Sequence, residues 1–107
     1  MPRDLSESDL TRASLSGSHL AGADLHGSTL HAANAVRTDL SGANLADADL
    51  TEANMVEATL VDADLSGADV AGADLRGADL RGAKLDGVRG MDQARLDPLG
   101  PNRRAER

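Results

Sequence analysis

Three histidines, His19, His26 and His31, fall in one short stretch of the chain. Imidazole is the commonest metal ligand, and a metal site needs several such donors converging on one point. The acids are numerous, 18 Asp and Glu, and carboxylates perform acid–base catalysis when a pair is held in a cleft that buries one more than the other. Ser18 lies next to His19, but neither an elbow motif nor an oriented third partner accompanies them, so a hydrolytic triad is not supported. The stretch GADLRGAK, residues 77–84, resembles a phosphate-binding loop. That loop requires lysine directly after its second glycine. Ala83 stands there instead, and the match is a by-product of glycine recurring every five residues. Cysteine is absent, which removes thiolate nucleophiles, thiolate metal ligands and disulfides together.

Convergence of any of these groups depends on the path of the chain. Every fifth residue from 5 to 85 forms a column of 17 centres, 14 of them Leu and the others Ala35, Met55 and Val70. Two before each centre the residue is Ala in 12 of 17 units; one before, it is Asp nine times and Asn three times; two after, it is Gly nine times. Five residues advance an α-helix by about 140°, which scatters the leucines round the axis. In a straight strand an odd spacing sends alternate leucines to opposite faces. Both objections vanish if the chain turns a corner once per unit and every centre points at a common axis. The turn chemistry agrees: glycine supplies positive φ, and Asp or Asn hydrogen-bonds nearby backbone at a corner.

The A(D/N)LxG units, such as AGADL, SGANL and RGADL, resemble the pentapeptide-repeat family over residues 3–87. The resemblance implies an all-β solenoid, a right-handed quadrilateral β-helix of about four coils. In it the centre and the residue two before it point inward, and the remaining positions point outward. A coil of 20 residues also stacks the undersized Ala35 between Leu15 and Met55, whose long adaptable side chain can fill the gap. The expected core includes Leu25, Leu45, Leu65, Ala35 and Met55. At about 4.8 Å per coil the prism is roughly 20 Å long.

The domain organisation expected is a solenoid over 1–87, a cap over 88–99 and a disordered tail over 100–107. Gly90, Arg95 and Gly100 break the column of centres, so GMDQARL, residues 90–96, is expected to form about two helical turns, stopped by Pro98 and Pro101. Met91, Leu96 and Leu99 then close the last coil, as repeat arrays require of their ends. No such cap is expected before residue 3, over the first coil. Its open backbone edge leaves the chain either monomeric, with Arg3, Ser8 and Ser18 tolerating water inside, or a homodimer through that edge.

On four sides the three histidines occupy different faces, so no metal or other cofactor is expected, and a convex prism offers no cleft for catalysis. Surface remains. The formal charge is −7, and the acidity lies in the repeats, which disfavours direct contact with nucleic acid or an anionic membrane. No apolar run approaches a membrane span and no leader is evident, so a cytoplasmic protein is expected. The first face, centred on 5, 25, 45, 65 and 85, gathers Asp4, Glu7, Asp24, Asp47 and Asp64. The third face, centred on 15, 35, 55 and 75, is near neutral. The expectation is a non-catalytic protein-binding module whose basic partner meets the first face, with the fold indifferent to reversing those charges. The alternative, implied by the resemblance, is an acidic mimic of DNA acting on an enzyme such as a type II topoisomerase. Against it, roughly 20 Å of rod matches only about six base-pair steps of 3.4 Å. Val36, Val56 and Val61 form a small apolar patch besides.

Overall fold

The computed structural model describes residues 4–97. Its architecture is set by parallel bridges between residues 20 apart, from Asp4 with Asp24 through Asp69 with Arg89. Five residues per side and 20 per coil make four sides. The columns predicted from the sequence follow: bridges Ser14 to Asn34 and Asn34 to Asn54 place Leu15, Ala35 and Met55 on one face in consecutive coils.

The backbone of one unit shows why this path is stable. Around Leu45, all five N–H groups have acceptors. Leu45 and Asp47 donate to Asp64 and Ser66 carbonyls of the next coil at 2.7 and 2.9 Å, and Asn44 donates to Ala23 of the previous one at 2.9 Å. Ala48 closes the corner onto the Leu45 carbonyl at 3.0 Å. The Ala46 N–H, which faces outward, donates to Asn44 Oδ1 at 3.0 Å. A polar backbone is satisfied without a long strand, as buried amides require. The third residue of each corner turn has positive φ in every unit, between 57° and 75° over Glu7 to Gly87, as a type II turn demands.

Inside, the centres and the alanines two before them are almost wholly buried from Leu20 to Leu80. Alanine suits the inner slot because two side chains per unit must share a narrow square lumen packed to native density. Two of these buried inner slots are polar. Ser28 donates to the Leu25 carbonyl at 2.6 Å and Thr38 to the Leu15 carbonyl at 2.7 Å, so neither hydroxyl is stranded. Leu5, Leu10 and Leu15 at one end and Leu85 at the other are only partly buried.

The end of the chain differs from the expected helical cap. The helix over 90–96 is reduced to a single 3₁₀ turn, Met91–Gln93, and the coil itself runs on. Arg89 bridges Asp69, and Arg95 bridges Asp74 at a spacing of 21 instead of 20. One inserted residue at that corner therefore shifts the register, and Leu96 rather than residue 95 enters the core, 8% exposed. Gly90 makes the insertion possible. It adopts φ 80°, and a Cβ there would lie 2.5 Å from the Ala71 nitrogen. Ladder hydrogen bonds to the preceding coil outweigh a helix of two turns, which is marginal on its own. The Asp97 carboxylate accepts from the Gly77 N–H of the preceding coil at 3.0 Å. The expectations for Arg3, Pro98, Leu99, Pro101 and the tail over 100–107 lie outside the described residues.

Candidate interaction surface

The outward Asp and Asn column is first a structural device. All 12 of these side chains, from Asp4 to Asp79, accept the N–H two residues on, at 2.9 to 3.2 Å. Where Ser or Thr follows, its hydroxyl also donates to the same oxygen, as Ser41 does to Asp39 at 2.7 Å. These bonds favour the ionised carboxyl. The Ser6 hydroxyl and N–H hold Asp4 below the usual carboxylate range, and Ser66 does the same for Asp64. Arg76 and Arg81 act likewise on Asp74 and Asp79, each through a forked pair of bonds.

The five residues expected to form the acidic first face are brought together, in two different settings. Asp4, Asp24 and Asp64 stack in one bridged column, and each holds a corner N–H. Reversing them would remove a corner acceptor at each position, a structural role that the expectation of an indifferent fold leaves out. Glu7 and Asp47 sit at corners with φ 59° and 60°, and no backbone bond occupies their carboxylates. The latter setting recurs. Asp47, Glu52, Glu57 and Asp62 occupy all four corners of one coil with φ 60° to 61°, while the next coil has glycine at all four, Gly67, Gly72, Gly77 and Gly82. The carboxylates of Asp47, Glu52 and Asp62 lie along the rod over Gly67, Gly72 and Gly82, where a Cβ would collide with them. Glu57 meets Arg37 at 2.8 Å across exposed surface.

This girdle was visible in the sequence as acids at consecutive glycine positions. Its strained backbone was not, because only the closed coil fixes the sign of φ. The histidines separate as expected: His26 and His31 are on adjacent faces, and His19 bridges Asp39 on another. His31 Nδ1 lies 2.8 Å from Thr51 Oγ1. Among the described residues no group of three or more His, Cys, Asp or Glu could hold a metal ion, and no helix is long and apolar enough to cross a membrane. Val36 and Val56 stack on the third face and are half-buried, as is Val61 on the next.

A four-sided coil with one inward Leu and one corner per five residues defines a repeat solenoid whose outward groups are free to vary. The pentapeptide-repeat profile matches residues 4–42, 30–67, 43–82 and 58–89, and the chain belongs to the pentapeptide-repeat family. Among solved structures it is similar to a pentapeptide repeat protein of the cyanobacterium Cyanothece 51142, at 34% identity and TM-score 0.85, over 88% of this chain and 64% of that one. A pentapeptide repeat protein from the Arabidopsis thaliana thylakoid lumen gives 30% identity and TM-score 0.85, over 97% of this chain and 70% of that one. HetL of Nostoc sp. strain PCC 7120, involved in heterocyst differentiation regulation, gives 28% identity and TM-score 0.52, over 88% and 56%. The chain thus spans between 56% and 70% of the length of these relatives. No curated protein matches it by sequence.

Proposed function

We propose that the chain is a non-catalytic binding module that engages a basic protein through the first face and the acidic girdle beside it. One observation carries the reading: the girdle acids occupy left-handed corners that glycine fills in the following coil. A left-handed L-residue is disfavoured by roughly 1–2 kcal/mol. Strained residues that persist are expected where they serve a function. Four in one ring, all acidic, with carboxylates not needed by the backbone, form a surface suited to Lys and Arg side chains of a partner. Opposite charge accelerates encounter and confers salt dependence.

A second reading has its own support. Residues 4–73 hold 12 acids against 2 bases, a net −10, along about 17 Å at ~4.8 Å per coil, which is one charge per about 1.7 Å, the axial charge density of duplex DNA. On that reading the basic partner is a nucleic-acid enzyme. Capture from native cytoplasm tests both, with a variant carrying Asp47→Asn, Glu52→Gln, Glu57→Gln and Asp62→Asn as control. A partner retained by the wild type, lost by the variant and released by salt supports the module, and displacement by duplex DNA selects the second reading. Equal retention by both chains would sink the proposal.

A further inference from the structure

The two ends of the solenoid differ in charge and are complementary in backbone. Whereas residues 4–73 carry net −10, residues 74–97 hold 5 acids and 5 bases. The bases appear where Asp or Asn stands elsewhere: Lys84 follows Asp64 in the first column, and Arg89 follows Asp69 in the second. All four side chains at the two rims, Asp4, Asp9, Lys84 and Arg89, are exposed. Among the described residues, the cap expected to close this end holds one 3₁₀ turn at a single corner.

On the first face, the interior rule is that Leu65 and Gly67 donate to Lys84 and Asp86 carbonyls while Lys84 donates back to Ala63. Continued by one coil, it asks Leu85 and Gly87 N–H for two carbonyls and the Ala83 carbonyl for one N–H. None of those three groups has a protein partner among the described residues. At the other end the Asp4 and Ser6 carbonyls and the Asp4 N–H are likewise unbonded. These are the groups, in the order, that the rule requires.

We propose that copies of this chain associate head to tail, the N-terminal rim of one seated on the C-terminal rim of another. Lys84 meets Asp4 of the second copy, Arg89 meets its Asp9, and the partly buried Leu85 meets its Leu5. A head-to-tail contact is heterologous, so the product is a short open stack rather than a closed dimer. Exposed ion pairs and one row of backbone bonds make it weak and salt-sensitive.

Sedimentation equilibrium of the full chain at low and high salt tests this. Reversible association at low salt, dissolved by salt, is expected. Asp4→Asn with Asp9→Asn keeps the corner bonds, as Asn34, Asn44 and Asn54 do, and should weaken association roughly tenfold, the scale of two exposed ion pairs. Lys84→Gln with Arg89→Gln should do the same. A chain reversed at one rim (Asp4→Lys, Asp9→Lys) and a chain reversed at the other (Lys84→Glu, Arg89→Glu) should each stay monomeric alone and associate when mixed, since every contact in the mixture joins opposite charges. A wild type that stays monomeric at millimolar concentration overturns the proposal. So does association that survives neutralising either rim, or reversed chains that fail to associate with each other while circular dichroism shows both folded.

Discussion

Replacing a charged, exposed glutamate by glycine in ordered structure normally destabilises it, and at the girdle the opposite is expected. Glu52 has φ 61° and Glu57 φ 60°. Releasing the left-handed strain returns roughly 1–2 kcal/mol per residue, and the added freedom of an unfolded glycine takes back roughly 0.5–1 kcal/mol. Glu52→Gly should therefore stabilise by about 0.5–1 kcal/mol. Glu57→Gly should gain less, because its pair with Arg37, with side chains 74% and 52% exposed, is worth at most about 1 kcal/mol. Asp tolerates this conformation better than Glu, so Asp47→Gly and Asp62→Gly add smaller increments. The fourfold glycine variant should gain about 1–3 kcal/mol, allowing for loss of mutual repulsion among four like charges. Urea unfolding reads this as a higher midpoint at unchanged slope. A midpoint below that of the wild type for Glu52→Gly would refute the strain argument and remove the main support for a functional girdle.

Met55 is fully buried, and Ala35 occupies the same column one coil before it; Met55→Ala should lower stability by about 3–5 kcal/mol, because two small residues in sequence leave a void the coil cannot close, and an unchanged denaturation midpoint would contradict the column assignment. Gly90→Ala should destabilise by about 2 kcal/mol or more, since a Cβ meets backbone atoms of Ala71 and φ is positive; hydrogen exchange at Arg89 and Arg95 should quicken, and unchanged protection would argue against the inserted corner. The carboxyls of Asp4, Asp39 and Asp64 lie below their ordinary value because Ser6, Ser41 and Ser66 donate to the ionised form. A folded pKa below the unfolded one means that this stabilisation is complete above about pH 4–5 and is lost as pH falls through the depressed values. Thermal midpoints should hold from neutral pH to about 5 and then fall, while Asp39→Asn, which retains the corner acceptor, should flatten that decline; a decline of equal steepness would contradict the assignment.

The coil was legible in the sequence because each unit repeats the same local instruction. Leu and Ala specify the inward slots, and Asp or Asn specifies the acceptor for an outward N–H. The four sides could also be seen in the offset between Ala35 and Met55. The C-terminal end departs from the expected helix because its centres leave the column at multiples of five. A one-residue insertion moves Leu96 out of that column without ending the ladder, and the adjacent Gly90 reads as a helix boundary when it is a left-handed corner. The five acids could be placed on one side of the coil from their spacing, but not divided into two kinds of carboxylate. Asp24 and Asp64 belong to the corner, while Glu7 and Asp47 are unclaimed by it, a division that only hydrogen-bond geometry reveals.

The most direct test of the binding surface is the affinity of the captured basic partner, titrated across a range of salt concentrations against the wild type and against the chain with Asp47→Asn, Glu52→Gln, Glu57→Gln and Asp62→Asn. Neutralising four carboxylates in one ring should weaken binding at least about tenfold at low salt and make its salt dependence shallower, as expected when long-range attraction sets the encounter. Equal affinity for the two chains, insensitive to salt and abolished instead by polar substitution of Val36 and Val56, would contradict it.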